Sequence, residues 1–149
     1  MTAITDYWQQ FKLQEQLQSD NYEAWSFGYY PQTIDELAQL VLQGQKTATT
    51  SGFTLYEHDG DALPLVGDYN IILDSQNQPV CITQTLVVEK VPFQQVTAEH
   101  AYLEGEGDRS LDYWRRVHWD FFQKEYQTAG LEFTPESLCV CELFKCVYQ

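Results

Sequence analysis

Lys46 lies in Gly44-Gln45-Lys46-Thr47-Ala48-Thr49-Thr50, an amine followed at once by a run of hydroxyls. Such a lysine can cradle phosphate, take part in a reaction, or face solvent while the threonines build a strand. The phosphate-loop pattern GxxxxGK[ST] needs glycine before the lysine and a helix after it. Here Gln45 precedes Lys46, and the helical pattern lies upstream, which excludes that loop. A second cluster alternates Glu104, Glu106 and Asp108 with Gly105, Gly107 and Arg109. A calcium loop needs glycine at its sixth position and glutamate at its twelfth. Arg109 and Arg115 stand there, so calcium is excluded. The acids otherwise suit the start of the next helix, where negative charge is favoured.

The composition limits the partners. The chain has 149 residues, 44% apolar and 20% charged, the profile of one globular domain. Eight basic residues against twenty-two acidic ones give a formal net charge of −14. Basic groups supply most non-specific nucleic-acid affinity, so no DNA duplex or long RNA is expected as a general partner. Arg109, Arg115 and Arg116 form a local exception. No apolar run reaches the ~20 residues of a membrane span, and the first residues lack a signal peptide's pattern. A cytoplasmic protein without membrane contact is expected. Cys81, Cys139, Cys141 and Cys146 then read as reduced core residues, and no metal set or cofactor is expected.

The elements that must position these groups follow from hydrophobic spacing. Residues 4–18 predict a first helix docked by Tyr7, Trp8, Phe11 and Leu17, and residues 21–31 an aromatic-rich loop. Thr33 and Glu36 suggest a capping box for a helix that ends at Gly44. A turn-rich loop is expected after Thr50. Residues 67–74 and 79–91 read as strands of a hairpin around Ser75–Gln78. Two helices follow, one broken at Gly105 and a long one with Leu111, Trp114, His118, Phe121 and Phe122 inward. Asp112, Arg116, Asp120 and Lys124 suggest a surface salt-bridge ladder, and His100 and His118 satisfied core histidines. The last residues form a strand, which gives an α+β class.

Several motifs occurring in order resemble the ASCH domain family of the PUA-like superfamily. They are WSFG, LVLQGQKTATTS, PLVGDY, AYLEGEGDRSLDYWRRVHWDFF and VCELFKCVY, spread over residues 22–148. The resemblance implies one domain over 1–149, with residues 1–20 as a helical extension. It implies a PUA-like small β-barrel with helices packed around it and a cleft beside the GxKxxT segment. Some small ASCH proteins are amidohydrolases that release the acyl group from N4-acetylcytidine. Their lysine, threonine and glutamate match Lys46, Thr49 and Glu104. The substrate would be a small nucleoside or nucleotide, or a short RNA. A related ASCH protein is a ribonuclease, so a metal-assisted ribonuclease using Glu104, Glu106 or Asp108 and a non-catalytic RNA-binding module are the alternatives.

Amide hydrolysis needs a nucleophile, a base and a proton donor for the departing nitrogen. With Thr49 attacking, Lys46 is either the base or a charged oxyanion stabiliser with Glu104 as base. A neutral Lys46 must lose ~3 units from its ordinary pKa of ~10.4, about 4 kcal/mol. Trp25 and Phe27 are candidates to stack on a base, Thr50 to contact the substrate, and Arg109 and Arg115 to hold a phosphate. Lys46, Thr49 and Glu104 are expected to converge on one cleft. Lys46 is expected to lie outside the core, so that its removal leaves stability unchanged.

Overall fold

The structure is a computed structural model that describes residues 2–149. Helix α1 (Ala3–Glu15) leads to strand β1 (Tyr22–Trp25), helix α2 (Pro31–Leu42) and strand β2 (Ala48–Gly52). Helix α3 (Phe53–Asp59), strand β3 (Tyr69–Leu73) and strand β4 (Pro79–Pro92) follow. Helices α4 (Ala98–Glu104) and α5 (Leu111–Thr128) precede strand β5 (Leu138–Tyr148). The five strands form one sheet in the order β1-β3-β4-β5-β2, parallel between β1 and β3 and antiparallel elsewhere.

The α+β class is as expected, but the sheet does not close into a barrel. Its ladder ends at β1 and β2, which remain edges. Irregularities in the β4–β5 pairing at Ile82/Thr83 and Thr85/Val87 interrupt the register. Two expected loops are also regular. Residues Tyr22–Trp25 pair with Tyr69–Ile72 as a parallel edge strand, and the residues after Gly52 form α3. The expected capping box is absent from α2. Its first helical residue is Pro31, whose missing N–H and fixed φ suit that position, so the helix begins before Thr33.

Three apolar clusters hold the sheet. One lies under α4 and α5, with Phe93, Trp114, Phe122, Tyr126, Phe133 and the buried thiols Cys139 and Cys141. A second joins α2 to Phe27, Ile72 and Phe144, and a third is the dock of α1. Trp8 is 1% exposed there, stacks on Tyr22 at 4.7 Å and donates to Asp20 at 3.0 Å. Leu17 packs against the same cluster.

The last turn of α4 is fastened to the start of β2. Thr47 N–H donates to the Leu103 carbonyl at 2.8 Å, and the Gln45 amide donates to the Gly105 carbonyl at 2.7 Å. Gly105 has φ +77°, and a Cβ there would stand 2.5 Å from the Gln45 carbonyl oxygen. Only glycine lets the two segments approach this closely.

The α1 dock is an integral part of the core. Trp8→Ala should lower unfolding free energy by ~3–5 kcal/mol, read as a lower urea midpoint. An unchanged midpoint would show that α1 is an independent appendage.

Candidate functional site

Side chains alternate along an extended segment. In β2 this places Ala48 and Thr50 on the buried side with Lys46, which enters just before the strand, and Thr49 and Ser51 on the other side. Lys46 is 2% exposed and Glu104, at the end of α4, is 1% exposed. The Lys46 ammonium lies 3.2 Å from Glu104 Oε1 and 3.0 Å from Glu106 Oε2, and donates to the Ala48 carbonyl at 2.9 Å. It also lies 5.1 Å from the centre of the Phe27 ring.

Glu104 is the hub of this network. Thr50 Oγ1 donates to its Oε2 at 2.7 Å, and Trp114 Nε1 donates to the same oxygen. His100 Nε2 is 3.4 Å from Oε2, and His118 Nε2 is 3.5 Å from Oε1. The protons can be placed by elimination. Trp114's carbonyl can only accept, so His118 Nδ1 donates to it at 2.9 Å. His118 Nε2 faces a carboxylate, which favours a proton there too. Thr50 gives its one proton to Glu104 and therefore accepts from His100 Nε2 at 2.8 Å.

Burial opposes charge on all three central groups, and their mutual attraction overrides it. Burial would lower the Lys46 pKa, but Glu104 and then Glu106 raise it above the ordinary lysine value. Burial would raise that of Glu104, but Lys46, His118 and the His100 hydrogen bond hold it well below the usual carboxylate range. Burial would lower that of His118, but Glu104 raises it. The resting site therefore holds Lys46 as ammonium, which favours the oxyanion-stabilising role over that of neutral base. The expectation that Lys46 lies outside the core is corrected. Its removal leaves a buried carboxylate without its main counter-charge, a loss of ~3–5 kcal/mol.

Oxygen or nitrogen donors of Glu104, Glu106 and His118 lie within 4.8 Å of one another, the spacing of a group that could hold a metal ion, and the Lys46 ammonium contacts both carboxylates. Asp108, the third acid considered for a metal, instead accepts from Ser110 N–H at 2.8 Å at the start of α5.

The structure brings Lys46, Glu104 and Thr50 together but leaves Thr49 on the other face. Thr49 pairs across the ladder with Glu142, whose carboxyl burial pushes up to about 7 with help from the charge of Asp68. Phe27 is buried beside Lys46, whereas Trp25 donates to Asn70 at 2.9 Å. Neither arginine joins the cluster. Arg109 lies 3.6 Å over the Tyr102 ring and donates to that residue's carbonyl, and Arg115 donates to the Gln94 carbonyl at 3.2 Å. The expected Asp112–Lys124 ladder makes no ion pair; Arg116 sits 5.6 Å from the Tyr113 ring centre instead. His100, Trp114 and His118 join the cluster beyond the sequence-derived set. Their signal was spacing: His100–Glu104 and Trp114–His118 are each one helical turn apart.

These charges make stability depend on pH. A raised His118 pKa contributes stability that is fully present below ~6.5 and lost as pH rises through the folded-state value. A depressed Glu104 pKa contributes stability present above ~4.3 and lost as pH falls through its folded-state value. Denaturation of the wild type and His118→Gln should thus show a gap that narrows from pH 6 to pH 9. The narrowing should be about 1.4 kcal/mol for each pH unit by which folded His118 titrates above ~6.5. A gap constant with pH would mean that His118 is neutral.

A model described as the ASCH domain matches residues 23–148. No curated protein matches the chain. The crystal structure of protein EF3133 from Enterococcus faecalis V583 superposes with TM-score 0.91 at 37% identity, covering 98% of this chain and 88% of that one. The ASCH domain from Lactobacillus crispatus JV V101 gives TM-score 0.87 at 31% identity, covering 98% and 92%. Hypothetical protein PH0355, at 13% identity and TM-score 0.55 over 85% and 98% of the two chains, shares the fold alone. The chain belongs to the ASCH domain family.

Proposed function

We propose that the chain hydrolyses the amide of N4-acylated cytidine-type nucleosides, using Thr50, Glu104 and Lys46. One observation carries this reading: the Thr50 hydroxyl lies 2.7 Å from a Glu104 carboxylate that also pairs with the Lys46 ammonium at 3.2 Å. Nucleophile, base and positive charge are contiguous. The resemblance to small ASCH amidohydrolases supplies the substrate class, and family membership supports an RNA-associated role. Among the described residues, no helix is long and apolar enough to cross a membrane.

Thr50 Oγ forms a bond to the acyl carbon as its proton passes to Glu104. The carbonyl oxygen becomes an oxyanion stabilised by Lys46. The carbon–nitrogen bond then breaks, and the cytosine nitrogen takes the proton from Glu104. Water repeats the sequence on the threonyl ester, releasing the carboxylic acid and restoring Thr50. Protonating so acidic a carboxylate adds about 1.4 kcal/mol for each unit its pKa is depressed, which substrate contacts must offset.

Incubation with a panel of acylcytidines should release cytidine, with or without chelator. Thr50→Val should lower turnover at least ~100-fold, whereas Thr49→Val should retain it. The reverse pattern would transfer the chemistry to the other face of β2. No release from any acylcytidine would end the hydrolase reading.

A binding module is the second reading, and Tyr102 favours it. This residue is 54% exposed and carries the Arg109 guanidinium 3.6 Å from its ring centre. Planar guanidinium and aromatic faces both stack on unpaired bases. Arg109→Ala should weaken a short single-stranded RNA in a fluorescence titration; equal affinity would remove this reading.

A further inference from the structure

Lys46 has three ammonium protons and three close acceptors: the Ala48 carbonyl at 2.9 Å, Glu104 Oε1 at 3.2 Å and Glu106 Oε2 at 3.0 Å. The Glu104 carbonyl, at 3.5 Å, lies at the limit of a contact. Two of the three close acceptors are fixed. Ala48 is part of β2, and the Glu104 side chain is 2% exposed and bound by Thr50 and Trp114. Glu106 differs. Its side chain is 21% exposed, and among the described residues Lys46 is the only hydrogen-bond or ion-pair partner of that carboxylate, while the Glu106 backbone carbonyl accepts from Arg109 N–H at 3.0 Å.

The loop that carries Glu106 is bounded by left-handed residues. Gly105 and Gly107 flank it at φ +77° and +60°, and Arg109 follows at +65°. The backbone thus delivers the carboxylate to Lys46 from the solvent side. Hydrogen bonding restricts what can take its place. Glu106 accepts the third proton of a buried ammonium at 3.0 Å. Withdrawing Glu106 alone would leave that proton without an acceptor, which is unfavourable unless another negative oxygen enters.

We propose that Glu106 is a built-in competitor: its carboxylate occupies the oxyanion position on Lys46, and its side chain rotates out toward solvent when a ligand oxyanion enters. The ligand group is a carboxylate, a phosphate or the oxyanion of a tetrahedral intermediate. Each brings negative oxygen to the position Glu106 leaves. The inference rests on Lys46 as the ligand-facing charge in the proposed function, but not on turnover.

Acetate is the simplest probe. Its binding to the wild type, Glu106→Gln and Glu106→Asp is measured by titration, with backbone amide resonances reporting the location. Glu106→Gln should bind acetate at least ~10-fold more tightly than the wild type. Glu106→Asp, one methylene short of Lys46, should fall between them and keeps the test valid if the glutamine variant folds poorly. Acetate should shift the Gly105 and Gly107 amides in all three proteins. Equal affinities, or shifts that spare both glycines, would overturn the proposal. Tighter acetate binding by the variants in a protein that cleaves no acylcytidine would retain this inference and reject the hydrolase reading. Acylcytidine turnover with unchanged acetate binding would do the opposite.

Discussion

A lysine and a glutamate that have almost no contact with water must each find charge and hydrogen bonds inside the protein. Desolvating either ion costs several kcal/mol, and their mutual attraction compensates only when the remaining protons and lone pairs are also satisfied. Lys46 and Glu104 meet that condition through Ala48, Glu106, Thr50, Trp114, His100 and His118. Four elements are thereby committed to one point. The segment entering β2 supplies the ammonium, the end of α4 the carboxylate, α5 the indole and imidazole, and the intervening loop the second carboxylate.

The fold around the pair serves this geometry. Gly105 ends α4 in a left-handed conformation and lets the Gln45 backbone come into contact, which fixes Glu104 opposite Lys46. His118 stacks on Trp114 at 4.3 Å, so the two donors from α5 hold each other in place. β2 is an edge strand whose one flank pairs with β5, and its buried alternate residues face the hub.

Much of this was legible in the sequence, and the failures have physical causes. The hairpin, the long helix and the partnership of Lys46 with Glu104 were anticipated, the last from motifs and not from spacing. The expected convergence of Thr49 on the pair is not seen; Thr50 is the threonine whose hydroxyl meets Glu104, on the buried side of β2. β1 carried no local signal because its pairing with β3 joins residues far apart in sequence. Lys46 looked like a surface lysine because composition cannot show that four distant side chains neutralise one another. The arginines do not join this cluster: Arg115 donates to the Gln94 carbonyl and Arg109 to that of Tyr102.

The central claim is that Lys46 and Glu104 act as one buried charge unit. A double-mutant cycle on stability, using Lys46→Met, Glu104→Gln and the combined variant, tests it most directly. Each single change should cost ~3–5 kcal/mol, because it strands the opposite charge. The combined variant should lose far less than their sum. Single losses that add to within ~0.5 kcal/mol would show two independent residues and contradict the account.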